Sequence, residues 1–152
     1  MKIDVSRVFK SMSFLLVLHL SVHAEPISTK RYGSAVVSEV TSIYDGDTFR
    51  VNLEGYPEII GNRIGIRING IDTPEMRAQC QKEKILARRA KQFVVAQLRG
   101  ARKVELQNMK RGKYFRIVAD VYVDGKDLGS MLVDSALAVP YDGGHKAKDW
   151  CR

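Results

Sequence analysis

The spacing of apolar residues changes several times along this chain, and each change marks a different element. Ala35-Val-Val-Ser-Glu-Val-Thr-Ser-Ile-Tyr44 and Thr48-Phe-Arg-Val-Asn-Leu53 are rich in β-branched and aromatic residues, and Asp45-Gly46-Asp47 interrupts them. That pattern predicts a hairpin. Gly55 to Asn62 has no period and reads as a loop. Arg63-Ile-Gly-Ile-Arg-Ile-Asn69 then alternates strictly, sending Ile64, Ile66 and Ile68 to one face and Arg67 to the other. The isoleucines are expected in the core and Arg67 outside it. From about Gln79 to Arg99 the period becomes helical, with Ala87, Ala90, Phe93, Val94 and Leu98 on one stripe and Gly100 as the stop. Lys103 to Gln107 and Arg116 to Val123 return to strand composition, joined by a basic loop from Met109 to Phe115. Asp124-Gly125 is a further tight turn, and Asp127 to Ser135 predicts a short helix. Five short strands interrupted by one long helix fit a mainly β, α+β domain with a closed or nearly closed barrel better than a βαβ sheet.

The first residues obey another logic. Lys2, Arg7 and Lys10 precede an apolar run from Phe14 to Val22, and Val22-His23-Ala24 offers small or aliphatic residues at its end. This is the order of a secretory signal, with cleavage expected between Ala24 and Glu25. A buried helix or uncleaved anchor fits less well, because the run contains His19 and Ser21 and falls short of the roughly 20 residues that span a bilayer. The expected organisation is a signal over 1–24, a flexible leader over 25–33 and one domain over 34–152. The 152 residues suffice for a single core. A secreted or periplasmic protein is expected, with no stable membrane association after cleavage and no feature demanding an obligate partner, hence a monomer.

Charge alters this picture only modestly. Removing residues 1–24 lowers the 25 basic and 17 acidic residues to 22 and 16, a net of +6. The excess favours polyanionic partners without identifying one. Export would also place Cys80 and Cys151 in an oxidising compartment, where they are expected to pair; without export, two free thiols are the alternative.

Three short segments carry candidate chemistry. Asp45-Gly46-Asp47-Thr48 sets two carboxylates around a Gly, either an ordinary hairpin turn or oxygen ligands folded toward a hard cation. Asp72-Thr73-Pro74-Glu75 reads equally as a helix start, with an N-cap, a proline at the first position and a first-turn acid. Arg67 lies five residues earlier, on the non-core face of its strand, and so can approach whatever those acids bind. Arg116 opens a strand directly after Lys113-Tyr114-Phe115, where a lone arginine is usually a solvated charge.

Taken together, these segments resemble the staphylococcal nuclease family over nearly all of the chain beyond the leader. Its D-G-D-T matches Asp45 to Thr48, its R-x-x-x-x-D-T-P-E matches Arg67 to Glu75, and its K-Y-x-R matches Lys113 to Arg116. The resemblance implies a five-stranded OB-fold barrel with flanking helices, in an exported bacterial-type homologue. It also implies calcium-dependent hydrolysis of DNA or RNA that leaves 3′-phosphates. Carried over by position, Asp47 and Asp72 would ligate Ca2+ through carboxylates and Thr73 through its carbonyl, with Asp45 in support. Glu75 would be the general base, and Arg67 and Arg116 would stabilise the charge gathering on the phosphate. Lys113, Tyr114 and Tyr141 would contact substrate. Phe115 departs from the family's usual Gly, which either restricts the backbone or changes how bases stack. A noncatalytic OB module that binds nucleic acid is the alternative, and Asp47, Asp72 and Glu75 argue against it, because paired carboxylates repel a polyanion unless a cation intervenes.

Overall fold

The computed structural model describes residues 30–146 and 148–152, so the expected signal and the first part of the leader lie outside the described residues. The core is a barrel of five strands: β1 (Ala35–Ile43), β2 (Thr48–Leu53), β3 (Ile64–Ile68), β5 (Val104–Arg111) and β6 (Arg116–Val123). They run in the order β3-β2-β1-β5-β6, and a parallel β3–β6 pairing closes the ring. A short β7 (Lys126–Asp127) extends β6, and β4 (Ile71–Asp72) pairs with β8 (Val139–Pro140). Three helices accompany the barrel: α1 (Glu58–Gly61), α2 (Gln81–Gly100) and α3 (Leu128–Asp134). This is the mainly β barrel that the strand pattern predicts, with the OB-type architecture that the family resemblance implies.

Strand period decides what enters the barrel. Phe49, Val51, Ile66, Ile68, Leu106, Ala119 and Val121 are buried on its inner face, while α2 contributes Val94 and Leu98 and α3 Leu128 and Leu132. Closure needs curvature, and irregular register between Gln107 and Lys110 supplies some of it, with Asn108 at φ 51°. Asp120 braces that bulge by accepting from Asn108 Nδ2 and Asn69 Nδ2, each at 2.7 Å.

Several boundaries differ from the sequence pattern. The Gly55–Asn62 loop contains the single turn of α1, and β5 continues through its bulge to Arg111. Asp72 to Glu75 starts no helix: residues 73–80 form a loop, and α2 begins at Gln81 with Cys80 as its N-cap. One reason is tertiary and one is local. The Thr73 amide and hydroxyl are committed to Asp47, whereas the Cys80 Sγ accepts from the Glu83 amide at 3.4 Å. Contact with the barrel also starts before Ser34, since the Tyr32 amide donates to the Met109 carbonyl at 2.8 Å.

Cys80 and Cys151 form a disulfide with their Cα atoms 5.9 Å apart. With Trp150 buried beside it, this link draws the C-terminal segment back over the loop that precedes α2.

Candidate active site

The acidic part of the site grows out of the β1–β2 turn. Asp45 Oδ1 accepts from the Asp47 amide at 3.1 Å and the Thr48 amide at 2.8 Å, an Asx turn that points the next carboxylate inward. Gly46 is needed here for clearance rather than flexibility. A Cβ at that position would lie 2.8 Å from Ala90 Cβ and 2.9 Å from Thr73 Cγ2, so the turn packs directly on α2 and on the loop after β4.

Asp47 connects the two acidic segments. Its Oδ1 pairs with Arg67 Nη1 and accepts from Thr48 Oγ1 at 2.8 Å, and its Oδ2 accepts from Thr73 Oγ1 at 3.1 Å and the Thr73 amide at 3.3 Å. The Asp47 carbonyl accepts from the Ile68 amide at 2.8 Å, fixing the turn to the end of β3. Asp72 is held beside it by the β4–β8 pairing with Val139. Asp45, Asp47, Asp72 and Thr73 are only 6%, 4%, 3% and 2% exposed, which is rare for carboxylates without counter-charge.

The local electrostatics reflect this crowding. Burial, then the neighbouring Asp47 charge, push the Asp45 carboxyl from 3.8 up to about 6, against hydrogen bonds from the Asp47 and Thr48 amides that favour its ionised form. Asp72 Oδ1 is fully buried and receives no well-aligned hydrogen bond. Two cations lie close to it instead, Lys146 Nζ at 2.8 Å and Arg67 Nη2 at 3.5 Å. Lys146 also pairs with Glu75 Oε1. Burial pulls the Lys146 pKa down, but the contacts with Asp72 and Glu75 outweigh it and raise the value.

These observations test whether the donor set fits a hard cation, and it does. Buried carboxylates, one with an oxygen lacking a proper donor, and two basic side chains drawn toward them describe a place where positive charge is favoured. Among the described residues, Cys80, Glu83 and Cys151 are the only three-residue His/Cys/Asp/Glu grouping with ligand atoms within 4.8 Å of one another. Its sulfurs are spent in the disulfide and offer no thiolate.

The basic part lies on the outer faces of β3 and β6. Parallel pairing sets Gly65 opposite Arg116 and Arg67 opposite Val118, so both arginines share one face, two residues apart along the ladder. Gly65 makes room for the second, because a Cβ there would sit 2.9 Å from Arg116 Cγ. Arg116 has no carboxylate partner within salt-bridge distance among the described residues; its Nε donates to the Lys113 carbonyl at 3.4 Å and its guanidinium lies 5.5 Å from the Tyr114 ring centroid. Lys113, Tyr114 and Phe115 are exposed at the tip of the β5–β6 hairpin. Tyr114 and Phe115 hold φ 57° and 56°, a region that non-glycine residues enter at a cost. The family's Gly would adopt it freely, so the Phe115 departure falls where backbone freedom matters.

Glu75 is half exposed beside the acidic cluster, and its amide donates to Glu83 Oε1 at 3.0 Å. Tyr141 stands apart from the arginines. Its amide donates to the Gly70 carbonyl and its hydroxyl to the Gly144 carbonyl at 2.7 Å, and it lines a cavity of about 750 Å³ with Asp72, His145 and Lys146. Sequence reasoning missed Lys146. No motif flags it; only the disulfide-held tail brings it to Asp72 and Glu75.

Comparison with known proteins places this arrangement. The family model described as "Staphylococcal nuclease homologue" matches residues 65–149. A protein named "Probable endonuclease lcl3" from Neosartorya fischeri is 32% identical over 107 residues, covering 59% of this chain and 36% of the relative. Its namesake from Emericella nidulans is 31% identical over 107 residues, covering 59% and 38%. That from Phaeosphaeria nodorum is 30% identical over 92 residues, covering 57% and 31%. The chain thus spans about a third of the length of the curated relatives it matches. These relatives are fungal and do not bear out the expectation of a bacterial-type homologue.

Proposed function

The chain belongs to the staphylococcal nuclease homologue family, and from that premise we propose that it is a calcium-dependent phosphodiesterase that cuts DNA and RNA. The observation that carries this reading is the juxtaposition of buried Asp45, Asp47 and Asp72 with two arginines on the shared outer face of β3 and β6. A module that only binds nucleic acid has no use for such carboxylates next to its phosphate contacts. The "endonuclease" in the relatives' names agrees with cutting.

Asp47 and Asp72 would hold the ion through carboxylates and Thr73 through its carbonyl, with Asp45 shaping the turn. Bound there, calcium supplies positive charge to a phosphate oxygen and a site for water. Glu75, half exposed and free of any structural burial, takes the proton from the attacking water. Once Asp47 and Asp72 are engaged elsewhere, Arg67 loses both its carboxylate partners and turns to the phosphate, while Lys146 gives up Asp72 and keeps Glu75. Arg116, which has no acid to release among the described residues, offers its planar fork from the start and stabilises the added charge as phosphorus becomes five-coordinate. Water attacks phosphorus, the bond to the 5′ oxygen breaks and that oxygen gains a proton, which leaves a 3′-phosphate. Lys113 and Tyr114 at the hairpin tip contact the substrate beside Arg116, and Tyr141 is a contact on the Asp72 side.

We also propose export, with residues 1–24 as the signal. The charged and apolar order of that segment supports it, as does the disulfide, which suits an oxidising compartment. N-terminal sequencing of exported protein should then begin at Glu25. For the activity, purified protein is incubated with supercoiled plasmid and with a single-stranded RNA, in calcium and in excess chelator. Calcium-dependent cutting of both is expected, with ends that a template-independent polymerase extends only after phosphatase treatment. Substrates left intact with calcium would remove the catalytic reading.

A further inference from the structure

Beside Arg116 lies a second cleft, of about 650 Å³, between the β1–β2 hairpin, the start of β3 and the β5–β6 tip. Its lining includes Tyr44, Arg50, Arg63, Tyr114, Phe115 and Arg116 and, among the described residues, no Asp or Glu. The described residues include four strongly exposed large aromatics, Tyr32, Tyr44, Tyr114 and Phe115, and three of them line this cleft. Tyr44 is 51% exposed, Tyr114 87% and Phe115 55%. Rings left in water at one place, between guanidinium groups, form a surface that a core does not require.

The cleft is also held in shape. Arg63, Tyr114 and Phe115 all have positive φ, at 51°, 57° and 56°. The Arg63 amide donates to Asn52 Oδ1 at 2.8 Å, and its carbonyl accepts from Arg50 Nη1 at 3.0 Å. Arg116 faces the Tyr114 ring, and Arg111 lies 5.0 Å from the Phe115 centroid. Such strain is kept where a fixed display of side chains is useful. Continuity with the candidate active site is direct: Thr48 lines the cleft and donates to Asp47, and Arg116 belongs to both.

Resting on the nuclease reading, we propose that this cleft is a stacking subsite for unpaired nucleotides flanking the bond to be cut. Tyr44 and Phe115 receive base faces, while Arg50 and Arg63 receive the adjoining phosphates. Charge complementarity selects a polyanion, and the exposed rings select bases whose faces are open. Duplex bases are stacked on one another and offer no such face, so the cleft confers a preference for single strands.

The test uses the Glu75→Gln protein in calcium, with fluorescein-labelled oligothymidylate and a labelled duplex of equal length, read by anisotropy. Tyr44→Ala and Phe115→Ser, each added to that background, should weaken single-strand binding by about fivefold to a hundredfold. Duplex binding should change less than about twofold, since its phosphate contacts remain. Tyr44→Phe keeps the ring and should bind the single strand as the parent does. Unchanged single-strand binding in both ring-removing variants, or equal loss for both probes, overturns the subsite. Cleavage of the same strands by the unsubstituted protein is scored separately. Cutting with unaltered variant binding defeats the subsite alone; loss of single-strand binding without any cutting supports the subsite and defeats the nuclease reading.

Discussion

Where the β1–β2 turn meets the end of β4, Asp45, Asp47, Asp72 and Thr73 are almost wholly buried, tied together by hydrogen bonds from Thr73 to Asp47 and already neutralised in part by Arg67 and Lys146. At the β5–β6 tip, Lys113, Tyr114 and Phe115 stand in solvent on a strained backbone, and Arg116 behind them has no acidic partner among the described residues. The first region is a closed set of acids that, on the proposed function, would hold a small cation. The second is an open set of donors and rings that would meet a large anion. Buried carboxylates need rigid neighbours to offset their desolvation, whereas a polymer must reach its contacts from outside, so the two tasks favour opposite construction.

That contrast predicts which changes strike catalysis and which strike the fold. At the open side the effect falls on catalysis: Arg116→Ala should lower the turnover of DNA by about a hundredfold to a thousandfold, in line with losing one preorganised donor to the transition state. Its unfolding midpoint in urea should stay close to the parent's, because Arg116 makes no buried ion pair. At the closed side the order reverses. Gly46→Ala should cost about 1–3 kcal/mol of stability by urea denaturation, because its Cβ would meet Ala90 and Thr73. A Gly46→Ala protein as stable as the parent would mean that the turn is looser than described.

Smaller effects probe the charge balance. Lys146→Met removes the ammonium that sits against Asp72 and Glu75, and calorimetric titration should show calcium affinity rising a few-fold. Unchanged affinity would show that Lys146 does not compete with the ion. A pH-dependent effect concerns Asp45, whose folded carboxyl is raised to about 6 from 3.8. A raised carboxyl favours the fold while protonated, so this contribution is present below pH 4 and is lost as pH climbs toward 6. Melting temperatures of the chelated protein across that interval should carry this loss, and calcium should reduce it.

Much of this contrast is written locally in the chain. The alternation of Ile64, Ile66 and Ile68 shows which face of β3 Arg67 occupies, and Asp45-Gly46-Asp47 is recognisable as a turn between two strands. What escaped the sequence depends on long-range packing. Thr73 forgoes a helix because Asp47, 26 residues earlier, holds both its amide and its hydroxyl. Gly46 reads as flexible until α2 is placed against it. Lys146 lies 71 residues from Glu75, and nothing near it in the sequence points there. Only the Cys80–Cys151 link and the β4–β8 pairing bring the tail to the acids. The left-handed conformation of Tyr114 and Phe115 was equally hidden, since neither residue favours it.

On the proposed function, the buried acids would hold the cation while Glu75, more exposed than they are and joined to Asp72 only through Lys146, would perform proton transfer. Glu75→Gln separates those roles when calcium affinity by calorimetry and DNA cleavage are measured on the same preparation. Calcium affinity within a few-fold of the parent, with cleavage reduced by about a hundredfold to ten-thousandfold, is the predicted result. Cleavage at the parental rate would contradict it.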